Sequence, residues 1–68
     1  MSDNLKNHLL YQLPLVQGIM YREALTADEA INYIREIADE SPHPEYTLEE
    51  LGMEPDFIFD LLTITGDL

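Results

Sequence analysis

The chain contains no cysteine and no tryptophan, and no lysine or arginine after Arg35. Without cysteine there is no disulfide and no thiolate metal site, and cysteine usage gives no clue to redox compartment. No apolar run approaches the ~20 residues that a membrane helix needs. Leu9 to Val16 is interrupted by Gln12 and Pro14, and Ser2 and Asp3 stand where a secretory leader would carry a basic region. The expectation is a cytoplasmic protein without membrane contact, since an acidic surface is also repelled by anionic lipid.

The shortage of bases matters most. The last 33 residues carry ten acids and no lysine or arginine, a net charge of −10. The first 35 set four acids against Lys6, Arg22 and Arg35, a net of −1. Charge this dense opposes compaction by self-repulsion, and it either repels anions or attracts a basic partner. It excludes direct nucleic-acid binding, which needs lysine and arginine to neutralise phosphates.

Sixty-eight residues make one small acidic helical domain spanning 1–68. A core of this size rarely contributes more than ~3–5 kcal/mol without a staple. Yet 46% of the residues are hydrophobic, more than one small monomer readily hides, which points to self-association.

Periodicity predicts an all-α fold, a small bundle of three to four short helices. Leu5, Leu9, Leu13, Val16 and Met20 share one helical stripe, with Ser2 or Asp3 able to cap its start. Pro14 falls inside that stripe, so one kinked helix or two short helices should result. Thr26 and Glu29 have capping-box spacing ahead of Ala27, Ala30, Ile31, Ile34, Ile37 and Ala38, all on one face. That helix should run from Ala27 to Glu40 and stop at Ser41-Pro42. The stretch Ser41–Tyr46 reads as an extended loop, and Thr47 with Glu50 as a second capping box. Gly52 should end the helix it opens. Pro55 suits the start of a last element. Residues 57–65 have strand-like composition, but Pro55 and Gly66 favour a helix, apolar nearly all round.

Few residues suggest chemistry, and the chain reads as non-enzymatic. His8 has no ligand partner at helical spacing, and His43 lies between two prolines. Ser41, His43 and Glu45 have the residue types of a hydrolytic triad, but near neighbours cannot line up as nucleophile, base and orienter. The acids lack the Asp-x-Asp-x-Asp-Gly pattern of a calcium loop. No catalytic, cofactor or metal residue is expected.

Two short stretches resemble known motifs. Thr47 to Leu62 resembles a helix-turn-helix in outline, but lacks the usual small residue in its first helix and has no base. Leu51-Gly52-Met53-Glu54-Pro55-Asp56 resembles the carrier-protein turn without the serine that would hold a phosphopantetheine arm. Neither function carries over.

The reading is therefore a non-catalytic module that binds, and inhibits, a basic protein. Glu36, Asp39, Glu40, Glu45, Glu49, Glu50 and Glu54 are the expected contact acids. Tyr46 among them would be an aromatic anchor, or else a lid over the core. Phe57, Phe59, Leu61, Leu62 and Ile64 are the expected self-association residues of a homodimer. In class the chain resembles the short acidic inhibitors that phages and plasmids deploy against restriction, CRISPR or other nucleic-acid enzymes. Rows such as Glu29, Glu36 and Glu40 can approximate a phosphate ladder, because helical residues three or four apart lie ~5–6 Å apart. An antitoxin or a structural dimerisation module is the other alternative.

Overall fold

A computed structural model describes residues 9–66. Four short α-helices pack together, and no strand occurs among the described residues. They are α1 (Pro14–Glu23), α2 (Ala27–Glu40), α3 (Pro44–Leu51) and α4 (Ile58–Thr65), with a 3-10 turn at Pro55–Phe57. Ser2, Asp3, Leu5 and His8 lie outside the described residues.

Pro14 restarts the chain. Leu9 and Leu10 are helical, Tyr11 and Gln12 turn, and α1 opens with Pro14 at its first position. There the missing N–H costs nothing. The break changes the phase of the expected stripe. Leu9 is 68% exposed, whereas Leu10, Leu15, Val16 and Ile19 are buried, with Leu13 and Met20 packed at the edge of the core. Leu13, the residue before α1, has no side chain that can cap it. A carboxylate from the other end of the sequence takes that place: the Leu15 N–H donates to Asp60 Oδ2 of α4 at 3.1 Å. The helix dipole favours an acid at this end. α1 closes at Ala24, a left-handed residue at φ 55°.

α2 keeps the predicted limits. Glu29 N–H donates to Thr26 Oγ1 at 3.2 Å and Thr26 N–H to Glu29 Oε1 at 2.9 Å, completing the capping box. Ala30, Ile31 and Ile34 are fully buried, and Ile37 packs against the core. α2 is central and touches the other three helices. Ser41 ends it in an extended conformation ahead of Pro42, its hydroxyl donating to Ile37 O at 2.6 Å.

The next helix corrects the sequence reading. α3 begins at Pro44, not after Thr47, and the loop shrinks to Ser41, Pro42 and His43. Thr47 is 1% exposed and inside the helix, its hydroxyl donating to His43 O at 3.3 Å. Capping from Thr47 would place this residue in water and leave Pro44 without a helix to start. Gly52 ends α3 at φ 72°, with Gly52 N–H donating to Glu49 O and Met53 N–H to Leu48 O, a Schellman pair of bonds.

The last segment is helical, as expected, although Phe57 belongs to the 3-10 turn. Leu61 and Ile64 are buried with Leu48 and Leu51 of α3 in the common core. Arg35 of α2 is half-buried and donates from Nε to Ile64 O at 3.3 Å. A cation at the C-terminal end of α4 complements that helix's dipole.

A candidate acidic interaction surface

The acids between residues 36 and 56 all point outward. Glu36, Asp39 and Glu40 are exposed on the second half of α2. Glu45, Glu49 and Glu50 are exposed on α3, and Glu54 and Asp56 follow in the connection to α4. The apolar faces of both helices are committed to the core, so the remaining faces have nowhere to turn but solvent. Among the described residues the ion pairs are Arg22–Glu23 and His43–Glu45, so no lysine or arginine pairs with these eight acids.

Three shallow clefts show which expected contact residues meet. Glu40 of α2 and Glu50 of α3 share a cleft of about 220 Å³ with Ile37, Ser41 and Tyr46. Glu45 and Glu49, one helical turn apart, border another of about 260 Å³ with Leu48, Met53 and Pro55. Asp39 lines a third of about 330 Å³ with His43 and Thr47. Glu36 and Glu54 line none of the three.

Tyr46 is 42% exposed and stands over the junction of α2 and α3 rather than within the core. Its hydroxyl donates to the Glu50 carboxylate, which raises the phenol above its ordinary value of 10.0, with further help from the charges of Glu50 and Glu49. Tyr11 behaves alike at the other end of the molecule, donating to Asp28 Oδ1 and raised by that bond.

Ser41, His43 and Glu45 do not form a catalytic row. Glu45 Oε2 lies 3.1 Å from His43 Nδ1, but the Ser41 hydroxyl donates to Ile37 O. Among the described residues no three histidine or acidic side chains gather closely enough to hold a metal ion.

Of the expected self-association residues, Leu61 and Ile64 are 1% and 2% exposed and belong to this chain's own core. Phe57 and Leu62 are half-buried. Phe59 alone of the five stands out, 68% exposed. The helix sorts its residues by angle, which a count of apolar residues does not anticipate. No described helix is long and apolar enough to cross a membrane.

The role of His43 was not legible from the pattern. It is the N-cap of α3, with Nδ1 accepting from Tyr46 N–H at 3.2 Å. The available signal was its place immediately before Pro44, a residue suited to the first helical position.

Comparison with protein-family models, with curated proteins and with solved structures yields no match.

Proposed function

We propose that the chain is a non-catalytic binding module that engages and inhibits a basic protein through the acids of α2 and α3. The observation that carries this reading is the set of eight exposed acids from Glu36 to Asp56, with none of which an arginine pairs among the described residues. A basic surface supplies that neutralisation from outside. The attraction is long-range, so it speeds encounter and weakens as salt screens it. Tyr46 adds an aromatic contact beside Glu40 and Glu50.

The spacing favours a more specific version of the same reading, mimicry of a nucleic-acid backbone. Glu36 and Glu40 on α2, and Glu45 and Glu49 on α3, are carboxylates one helical turn apart. Rows at ~5–6 Å present charge as a phosphate backbone does. The target would then be the basic cleft of a nucleic-acid-binding enzyme or regulator, blocked in the cytoplasm, as in anti-restriction or anti-CRISPR inhibition. A basic toxin is the target in the antitoxin version.

The test is pull-down from host lysate at low and high salt, followed by binding of the captured protein to Glu36→Lys/Glu40→Lys/Glu50→Lys. All three positions are exposed. The triple variant should fold and lose binding, whereas Glu23→Gln, outside the acidic surface, should bind as the parent does. A partner held equally well by the triple variant, or held without salt dependence, refutes the reading.

A further inference from the structure

We propose that His43 is a proton-operated cap, which releases the first turn of α3 when its imidazole is protonated. One ring nitrogen faces two partners with opposite demands. Nδ1 is 3.2 Å from the Tyr46 backbone nitrogen, whose N–H needs a lone pair. The same Nδ1 is 3.1 Å from Glu45 Oε2, which needs an N–H. Nδ1 carries either a lone pair or a proton.

With the ring neutral and its proton on Nε2, Nδ1 accepts from Tyr46 and caps the helix. With the ring protonated, Nδ1 donates to Glu45 and the side-chain cap is lost. Tyr46 N–H then retains only His43 O, at 3.1 Å. The new positive charge also sits at the positive end of the α3 dipole.

The groups around the ring are few. Glu45 and the Tyr46 ring face it from α3, the latter edge-on at a centroid distance of 6.1 Å. Asp39 of α2 shares its cleft, and α4 contributes Leu61 and Thr65, neither of which titrates. The exchange is one of hydrogen-bond partners at Nδ1. It moves Glu45 and Tyr46 together. The device belongs to α3 itself and needs no partner.

The experiment is nitrogen-15 NMR of the full chain between about pH 8 and pH 5. At high pH the ring should show a bare Nδ1 and a protonated Nε2. As the ring titrates, the Tyr46 amide should move with the same midpoint, and the Cα shifts of residues 44–47 should drift from helical values. Amide protection at Tyr46, corrected for intrinsic exchange, should fall about fivefold, the equivalent of a ~1 kcal/mol cap. His43→Asn, which caps without titrating, should keep the turn helical and pH-independent. His43→Ala should show the loosened turn at every pH. Protonated Nδ1 at high pH, an unmoved Tyr46 amide, the same pH response in His43→Asn, or equal shifts throughout α2 would each overturn the proposal.

Discussion

Asp60 is one acid in a chain of net charge −11, so its removal should relieve repulsion, yet the fold assigns it the cap of a helix distant in sequence. Its carboxylate accepts the Leu15 N–H at 3.1 Å and caps α1, where Leu13 offers nothing. Replacing a capping side chain by alanine costs about 0.5–2 kcal/mol, typically ~1. The site is partly buried and the acceptor is charged, which places Asp60→Ala toward the upper part, at about 1.5 kcal/mol. Asp60→Asn retains an oxygen acceptor and loses only the charge at the helix end, about 0.3–1 kcal/mol. A domain of this size has about 3–5 kcal/mol in all, so alanine should remove a substantial part of it; at roughly 4–8 °C per kcal/mol, Tm should fall by about 6–12 °C. The assay is thermal and urea unfolding followed by circular dichroism. Asp56→Asn, at an exposed position, is the control for simple loss of charge and should be neutral or slightly stabilising. Salt screens general repulsion, so the gap between Asp60→Ala and Asp56→Asn should persist at high salt. If Asp60→Ala melts with the parent, or if both variants shift alike, the tertiary cap has no energetic weight and the reasoning fails.

Ile34 is fully buried at the middle of the α2 face, so Ile34→Asp should abolish the cooperative melt, because an unpaired charge there is costly; an unchanged melting curve refutes this placement. The Tyr46 phenol is raised by its bond to Glu50, so Glu50→Gln should bring its ionisation back toward the ordinary value of 10.0, read from phenolate absorbance. The sign follows: a raised folded-state value contributes stability below the unfolded value that disappears as pH rises through the folded one, so the parent should lose relative stability above about pH 10 and Glu50→Gln should lose less. Gly18 lies within α1, where a Cβ would meet only the end of the flexible Met53 side chain at 3.2 Å. Gly18→Ala should therefore raise stability by about 0.5 kcal/mol in urea unfolding, since the helix gain of up to ~1 kcal/mol exceeds the small displacement of Met53.

The sequence by itself determined the helices whose ends are set locally. Thr26 and Glu29 complete a capping box within four residues, Ser41-Pro42 stops α2, and Gly52 and Gly66 close α3 and α4 in the left-handed conformation. The exposed acids of the candidate surface were legible for the same reason, because the apolar period of α2 leaves the charged positions one side only. Tertiary structure decided what periodicity could not. Pro14 broke the phase of the first stripe, so Leu10 rather than Leu9 entered the core. His43 and Pro44 started α3 early and turned Thr47 inward. Asp60 capped a helix that begins 46 residues before it, and Arg35 reached the Ile64 carbonyl in the last turn of α4. In the last two cases an unsatisfied backbone group or helix end found its partner across the fold, and no local rule of spacing reports such a meeting.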